Sequence, residues 1–283
     1  MIAVVIVTFS AEAAMLDACV DSVLAAGGAD RVIVVDNGGH AIVDSNVELV
    51  RPARNLGFGG GANAGFQRAT ELGATFVALL NDDIEVDVGW LRPLVEALDT
   101  DPACGAVQPK LLLAGTDPPR INSLGVAIGG DGAGTDVGYN EIDGPGFAID
   151  RPIDAFTGGA VLFRAAFLQA TAGFDESYFL YYEDVDLAFR GAEIGWTYRC
   201  VPASRVWHRV SASTSQLGDT ARYLQERNRL RFAVRFGDVG TVTRALWLSI
   251  RRLRWSPRRT HARALLAGLG LAPAAIRARR RAR

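Results

Sequence analysis

Residues 76–85 read Phe-Val-Ala-Leu-Leu-Asn-Asp-Asp-Ile-Glu, an apolar run that ends abruptly in a cluster of acids. Five apolar residues rich in strand formers predict a buried parallel strand. In open α/β sheets, ligands bind beyond the carboxyl ends of such strands. Adjacent carboxylates repel each other unless a cation lies among them, and a hard divalent ion is a common solution. The stretch therefore predicts a central strand that ends either in a metal site or in a solvated acidic turn.

Two apolar runs before this strand predict a parallel βαβ unit. Residues 2–7 are an Ile/Val-rich run followed by Thr8 and Phe9, and a second run ends in Asp36, with a helical pattern over 12–26 between them. The short return predicts that the two strands are parallel neighbours. The polar residues at their ends could cap turns or could contact a base and a ribose, and both interpretations stay open.

A glycine-rich segment, residues 54–66, follows a short third strand and is predicted to open a helix that runs to about Leu72. Its glycines would let the backbone come close to a ligand, and amides at a helix start favour anionic groups. The segment lacks the dinucleotide spacing and the Lys-Ser/Thr of a P-loop, which excludes a Rossmann cofactor site and a Walker ATPase. Asn55 and Asn63 could be turn residues or ligand contacts.

A second acidic stretch follows the aromatic residues 178–182 and begins a predicted helix with Glu183, Asp184 and Asp186. Acids at a helix start are favoured electrostatically whatever their function. A carboxylate beside an aromatic wall is also how a general base is positioned. His208 comes after a predicted strand, and a lone histidine of this kind is more often a surface or packing residue than a ligand.

The remaining patterns predict the supporting structure. Residues 114–150 are rich in glycine and proline and predict a loop region with a short hairpin, and residues 196–201 predict an edge strand. Three widely spaced cysteines fit reduced structural thiols better than a disulfide framework or a zinc site. The amino-terminal run is too short for a signal peptide, and the absence of an uncharged apolar window of eighteen residues predicts no membrane span.

Length and charge place limits on the organisation. The 283 residues are 49% apolar, which is enough for a large α/β domain, alone or with an appendage. The net charge of −1 hides an asymmetry, because residues 240–283 hold twelve arginines and no acid, whereas the rest of the chain has a formal charge of −13. Such segregation predicts two surfaces with different partners.

The basic tail shows a helical pattern with one apolar face, formed by Val242, Leu246, Ile250 and Leu253. An arginine-rich amphipathic helix with tryptophans is typical of peptides that lie on an anionic membrane surface. Nucleic acid is the competing partner for such a tail. The last residues, 277–283, are predicted to be disordered.

The order of the motifs is more specific than any one of them. It runs Thr-Phe, Val-Val-Asp-Asn-Gly, Asn-Leu-Gly-Phe-Gly-Gly-Gly-Ala-Asn-Ala-Gly, Leu-Leu-Asn-Asp-Asp, Thr-Gly-Gly-Ala, Gly-Phe-Asp-Glu and Tyr-Glu-Asp-Val-Asp-Leu. Over about residues 2–236 this order resembles the inverting family-2 glycosyltransferases, in particular their bacterial rhamnosyltransferase-like branch. The resemblance implies a GT-A fold, an α/β architecture whose mostly parallel nucleotide-binding sheet is flanked by helices over residues 1–236. The arginine-rich helical tail over 237–283 would then be an extension.

The resemblance also implies roles for residues of this sequence. Asp184 would be the general base, with Glu183 beside it in the catalytic pair. Asp83 would hold Mg²⁺ or Mn²⁺, and Glu85 and His208 would complete the metal site as in related galactofuranosyl enzymes. The implied donor-binding residues are Thr8, Phe9, Asp36, Asn55, Gly59, Asn63, Asn81, Asp82, Gly159 and Arg227. Asn stands at position 81 where the family has an aspartate, which departs from the two-aspartate pattern.

The implied function is inverting transfer of a rhamnose-like sugar or another hexose. The donor would be dTDP-rhamnose or a UDP-sugar, and the acceptor a hydroxyl of a glycan or of a polyprenyl-diphosphate-linked sugar in cell-envelope polysaccharide synthesis. The enzyme would work at the cytoplasmic face of the cell membrane, with no nucleic acid partner. Two alternatives are a non-catalytic nucleotide-sugar-binding module and a sugar-phosphate nucleotidyltransferase, although the triphosphate loop of the latter is absent after the first strand.

Overall fold

The structure is a computed structural model that describes residues 1–9, 13–209 and 218–281. The strands in these residues are β1 (Ile2–Thr8), β2 (Arg31–Asp36), β3 (Glu48–Val50), β4 (Phe76–Asn81), β5 (Ile84–Val86), β6 (Cys104–Leu113), β7 (Arg120–Ser123), β8 (Val126–Ile128), β9 (Gly134–Asp136), β10 (Arg151–Pro152), β11 (Ala160–Arg164) and β12 (Thr197–His208). The α-helices are α1 (Ala13–Ala26), α2 (Gly57–Glu71), α3 (Leu91–Thr100), α4 (Ala165–Thr171), α5 (Glu183–Glu193), α6 (Gly218–Phe236), α7 (Val239–Arg252) and α8 (Arg258–Arg281). Short 3₁₀ helices span Pro145–Phe147 and Glu176–Tyr178.

One large sheet, in the order β10-β12-β6-β11-β4-β1-β2-β3, forms the centre of the molecule. Strands β3, β2, β1 and β4 are parallel, and β11 runs antiparallel between β4 and β6. The register pairs Thr8 with Asp36 and Val7 with Asn81. The predicted mostly parallel sheet is confirmed, and its polar strand ends meet at one edge.

The continuous apolar run of β1 is explained by burial on both faces. Val5 and Val7 pack in the cluster that includes α2, whereas Val4 and Ile6 pack in the cluster that includes α1 and α3. A strand covered on both faces has no polar side to present, so its sequence does not alternate. Each such side chain contributes about 1.5–3 kcal/mol when fully buried.

The glycines of α2 allow the helix to pack closely against other parts of the protein. A Cβ at Gly65 would collide with Val5 Cγ1, and one at Gly61 would lie 2.5 Å from Asn37 Nδ2. Gly57 has a φ of +74° and faces the Phe179 carbonyl oxygen. The sequence predicts that these glycines let the backbone approach a ligand. In the structure they let α2 approach the sheet and residues 173–183.

The second half of the sheet differs from the sequence prediction in one strand. The short hairpin predicted within residues 114–150 is confirmed as β8–β9. Strand β12, however, is twelve residues long and lies between β10 and β6, so the predicted edge strand is wrong. His208 is the last residue of β12. It is held in the sheet because the end of β12 pairs with both β5 and β6.

The basic tail forms α7 and α8, which pack on α6. Leu230 and Ala233 of α6 contact Ala245 of α7, and Gly268 of α8 lies against Leu230. Helix α8 continues to Arg281, so the disorder predicted from residue 277 is wrong as far as residue 281, and 282–283 lie outside the described residues. None of the helices in the described residues is both long and apolar enough to cross a bilayer. All three cysteines are free and buried, as predicted.

Candidate active site

The acids after β4 meet the end of β12. Asp83 Oδ1 lies 3.1 Å from His208 Nε2, and His208 Nδ1 lies 2.8 Å from Asn122 Oδ1. Because the Asn122 oxygen is an acceptor, Nδ1 carries a proton and Nε2 is the nitrogen that faces Asp83. A carboxylate oxygen and an imidazole nitrogen that face each other, with the imidazole oriented by an amide, are a donor set that suits a divalent cation. Nothing in the sequence pointed to Asn122, which lies in the region predicted as loop.

Glu85 is not brought to this pair. It lies on β5 opposite Trp207, and its carboxylate is held by the guanidinium of Arg209. Within residues 1–9, 13–209 and 218–281, no three His, Cys, Asp or Glu side chains are grouped to hold a metal ion. Of the three ligands that the resemblance implies, the structure brings Asp83 and His208 together, whereas Glu85 pairs with Arg209, and its role as a ligand stays a prediction.

Asp82 lies beside the end of β1. Burial raises the pKa of its carboxyl to about 6, although the Thr8 hydroxyl donates a hydrogen bond that lowers it, and the neighbouring charge of Asp83 raises it further. The side chain therefore sits where the predicted donor residues of β1 and β4 converge.

A cavity of about 530 Å³ opens next to Thr8 and Phe9 at the end of β1. A concave site of this size is typical for a small-molecule ligand. Asp17 and Asp21 of α1 line it, one helical turn apart, and sequence analysis missed them although that spacing places them on one face. The cavity lies at the strand ends, where the motif order predicts the nucleoside.

Asp36 also lines this cavity, but its carboxylate is occupied by the protein. It accepts bonds from the amides of Gly39 (2.7 Å) and Ala41 (2.8 Å) and from Arg51 Nε (3.1 Å). Burial alone would raise the pKa of Asp36, but these donors outweigh it and hold the pKa below its usual value. In the structure, Asp36 fixes the loop that forms one wall of the cavity.

The Gly158–Gly159 segment before β11 joins the two acidic stretches. The Gly159 carbonyl accepts a bond from the Asn81 amide (3.0 Å), and the Gly158 amide donates to Asp184 Oδ2 (2.9 Å). A Cβ at Gly158 would lie 2.9 Å from Phe58 Cε1, so the tight passage requires glycine. The end of β4 and the start of α5 therefore lie on either side of one short loop.

The three acids that begin α5 have different environments. Glu183 is 4% exposed, and burial, with the nearby Asp184, raises its pKa well above the usual range. Asp184 is half-buried; burial raises its pKa to about 6, although the Gly158 and Val185 amides bind its ionised form. Asp186 is fully buried and pairs with Arg190 at 2.7 Å. Of these three acids, Asp184 is therefore the one that can exchange a proton beside the Gly158–Gly159 loop.

The backbone before α5 is strained, and one amide holds it. Phe179, Tyr181 and Tyr182 have φ angles between 68° and 73°, a conformation that costs non-glycine residues about 1–3 kcal/mol each. Asn228 of α6 is fully buried, and its Nδ2 donates to three carbonyl oxygens within 178–181 at 2.8–3.1 Å. Asn228 therefore helps to set where α5 begins, and with it the position of its first acids.

Comparison with known proteins agrees with this geometry. Residues 3–124 match the family model described as Glycosyl transferase family 2. Over these residues the chain is similar to the family-2 glycosyltransferases. The N-acetylglucosaminyl-diphospho-decaprenol L-rhamnosyltransferase of Mycobacterium tuberculosis is 27% identical over 233 residues, which cover 70% of this chain and 72% of that protein. The resemblance noted in the sequence is confirmed at the level of the family.

Two solved glycosyltransferase structures share the GT-A fold of this chain. A crystal structure of GalNAc-T7 with UDP, GalNAc and Mn²⁺ has a TM-score of 0.68 at 15% identity, covering 97% of this chain and 57% of that one. The mannosyltransferase PcManGT of Pyrobaculum calidifontis, in complex with GDP-Man and Mn²⁺, has a TM-score of 0.55 at 14% identity, covering 96% and 86%. At such identities these likenesses establish the fold.

Three predicted donor residues of the family-2 domain are engaged with the protein in and around α2. Asn55 Oδ1 accepts the Gly57 amide (2.8 Å) in a turn, and Asn63 Nδ2 donates to the Phe174 carbonyl (2.9 Å). A Cβ at Gly59 would lie 3.2 Å from Phe174 Cβ. These contacts tie α2 to the segment that leads to α5, and contact with a donor stays a prediction for all three.

Arg227, which the resemblance implies as a donor-binding residue, also has protein partners. Its Nη2 donates to the Tyr178 carbonyl (2.6 Å), its Nε donates to Asn228 Oδ1 (2.8 Å), and its guanidinium stacks on Tyr223. The arginine therefore adds to the clamp on residues 178–181, by which we mean the hydrogen bonds from Asn228 to their carbonyl oxygens. A role toward the diphosphate stays a prediction.

Proposed function

We propose that this chain transfers a sugar from a nucleoside-diphosphate sugar to an acceptor hydroxyl, with inversion at the anomeric carbon. The observation that carries the proposal is the placement of Asp184, which the Gly158 amide holds across one short loop from the Asn81 end of β4. A base on one side of a crevice and leaving-group contacts on the other are what a displacement from the opposite face needs. The family-2 domain over residues 3–124 supports the same reaction.

Asp184 would take the proton from the attacking hydroxyl. Because burial raises its pKa to about 6, it is a stronger base than an ordinary carboxylate and is still ionised at neutral pH. General-base assistance of this kind contributes about 10²–10⁴-fold. The amides of Gly158 and Val185 orient the carboxylate, which leaves the acceptor to be bound by other groups.

Asp83 and His208 would hold a Mg²⁺ or Mn²⁺ ion, because their facing oxygen and nitrogen form a fitting donor pair. Such an ion supplies charge stabilisation for the departing diphosphate. Asn122 would keep the His208 ring in the orientation that presents Nε2. The two solved GT-A structures with Mn²⁺ agree with a divalent cation in this fold.

The donor and acceptor classes follow from the relatives. The mycobacterial relative is named as an L-rhamnosyltransferase acting on a decaprenol-linked N-acetylglucosamine, which supports dTDP-rhamnose or a UDP-sugar as donor and a polyprenyl-diphosphate-linked sugar or other glycan as acceptor. The 530 Å³ cavity beside Thr8 would take the nucleoside. With such a donor and acceptor, the chain would act in cell-envelope polysaccharide synthesis.

The basic tail would hold the enzyme on a membrane that contains such acceptors. Trp247, Ile250 and Trp255 are each more than half exposed, and the Arg251 guanidinium stacks against both tryptophan rings at 4.8 and 5.4 Å. Exposed tryptophans stacked on an exposed arginine favour the interface of an anionic bilayer. The enzyme would therefore act peripherally, on the inner face of the cell membrane, and we expect no nucleic acid partner.

The metal assignment is tested by calorimetric titration of UDP and dTDP with and without Mn²⁺. We expect Asp83→Ala to abolish the metal-dependent part of the affinity, because a principal ligand is lost. Glu85→Ala separates the two ligand sets: the structure predicts retained metal dependence, since Arg209 holds Glu85, whereas the three-residue set predicts its loss. Unchanged affinity in Asp83→Ala would refute the site.

The two alternative functions have distinct outcomes. A binding module would bind nucleotide sugars and neither hydrolyse nor transfer them under any condition. A nucleotidyltransferase would release pyrophosphate from a nucleoside triphosphate and a sugar phosphate. We expect slow metal-dependent hydrolysis of one nucleotide sugar, faster transfer when a lipid-linked acceptor is added, and no pyrophosphate release.

A further inference from the structure

A second cavity, of about 340 Å³, lies in the helical C-terminal region outside the sheet. Arg222 and Glu226 of α6 line it one turn apart, and Arg252, Trp255 and His261 close it from the end of α7 and the start of α8. None of these residues takes part in the site at the strand ends. The cavity is therefore a separate feature that the transfer reaction does not explain.

The floor of this cavity is a buried carboxylate. Glu226 is 3% exposed, and its Oε1 accepts a bond from Arg252 Nη1 (3.0 Å) and lies 2.7 Å from His261 Nδ1. Its Oε2 is also buried, and in the part of the chain that the structure describes it has no hydrogen-bond partner. A buried carboxylate oxygen without a donor is costly, so the site favours a ligand that brings one.

The rim has the opposite character. Arg222 is exposed and Arg252 also lines the cavity, so an anionic group is favoured there. The exposed indole of Trp255 borders the opening, and Trp255 belongs to the apolar surface that also contains Trp247 and Ile250. From floor to surface, the cavity thus presents an acceptor, then cations, then an apolar band.

A phospholipid headgroup with a terminal donor has its groups in the same order. In an ethanolamine headgroup the ammonium is outermost, the phosphate follows, and the acyl chains come last. We propose that this cavity binds the headgroup of a membrane phospholipid, with an N–H or O–H donor at Glu226 Oε2 and the phosphate at Arg222 and Arg252. The proposal rests on the membrane association proposed above and gives it a specific site.

The test is vesicle flotation of the full chain with two vesicle types. Both contain the same fraction of phosphatidylmethanol, an anionic lipid whose headgroup has no donor, and the remainder is either phosphatidylcholine or a mixture with phosphatidylethanolamine. Choline carries a quaternary ammonium without N–H groups, so the two types differ in donors at equal net charge. We expect about tenfold tighter binding to the ethanolamine vesicles, the effect of one hydrogen bond to a charged group.

Two variants separate the cavity from the general charge of the tail. Arg222→Gln removes a rim cation, and Arg258→Gln removes an exposed arginine that does not line the cavity. We expect Arg222→Gln to lose most of the ethanolamine preference and Arg258→Gln to keep it while binding both vesicle types slightly less. Equal losses in the two variants would mean that only diffuse charge binds the membrane.

Further outcomes are decisive in either direction. Binding to both vesicle types without a preference would overturn the headgroup site and leave membrane association standing. Absence of binding to any vesicle at low salt would overturn both. Calorimetry with soluble glycerophosphoethanolamine and glycerophosphocholine gives an independent reading, because only the former should bind, and it should do so more weakly in Arg222→Gln.

Discussion

The two acidic stretches of the site, Asp82–Asp83 after β4 and Glu183–Asp184 at the start of α5, are positioned by different means. The first follows from sheet register, because β4 is paired along its length with β1 and β11 and the acids emerge where pairing stops. The second follows a strained segment whose carbonyls are held by Asn228, 47 residues beyond Tyr181. Acids at a strand end are thus placed by regular strand pairing, whereas acids at this helix start depend on one distant side chain.

The largest expected effect comes from Asp184→Asn. The amide keeps the size of the side chain but cannot take a proton, so we expect turnover to fall by about 10²–10⁴-fold with donor affinity retained. Turnover is measured by product formation with a lipid-linked acceptor, and donor affinity by calorimetry. Turnover at the wild-type level would remove Asp184 from the proposed base role.

The next largest effect on turnover is expected from Asn228→Ala, which removes the side chain that clamps residues 178–181. The loss of three hydrogen bonds frees the 178–181 carbonyls, so α5 no longer begins at a fixed point and Asp184 is misplaced. A displacement of about 1 Å at a reacting group can cost about 10²-fold, and we expect kcat to fall toward that limit while KM for the donor changes little.

The clamp prediction needs a control for folding, since Asn228 is fully buried. Thermal unfolding followed by circular dichroism shows whether the variant is folded at the assay temperature. A variant that is folded and has wild-type kcat would contradict the positioning role. In that case the strained segment would be held by the rest of α6 alone.

The strand-end part of the site was accessible from sequence because its cause is local. The apolar runs before Thr8, Asp36 and Asn81 predict parallel strands, and parallel strands bring their carboxyl ends to one edge. The sequence could not show that Asp36 would be occupied by its own loop, since the Arg51 contact depends on how β3 returns. Residue type and position were predictable, whereas hydrogen-bond partners were not.

The rest of the site depends on contacts that no local pattern records. Asn122 reaches His208 from a strand that the sequence predicts only as loop, and Asn228 reaches residues 178–181 from α6. For Glu85, the resemblance implies a place beside Asp83, whereas the structure pairs it with Trp207 across the strands and with the guanidinium of Arg209. Long-range side-chain contacts of this kind have no periodicity and require coordinates.

A smaller effect is expected from pH, through the proposed base Asp184. Asp184 acts when ionised, and burial raises its pKa to about 6, so the fraction in the active form falls as pH drops through 6. We expect kcat to decrease about tenfold per pH unit well below 6, because each unit lowers the ionised fraction tenfold. The profile of kcat between pH 4.5 and 8.5 measures this. A flat profile down to pH 4.5 would contradict a raised pKa at the base.

The smallest effect on activity is expected at the neighbouring acid, Glu183. Burial raises the pKa of this carboxyl and favours its neutral form, and Glu183→Gln supplies a neutral group of similar size, so kcat should remain close to wild type. The unfolded chain releases that proton above its ordinary pKa, so the wild-type protein loses up to about 1.4 kcal/mol of stability per pH unit as pH rises from that value toward the raised pKa. The glutamine variant lacks this loss, and its advantage in melting temperature should therefore widen as pH rises above the ordinary pKa of a glutamic acid. A variant as inactive as Asp184→Asn would instead show that both acids of the pair face the reaction.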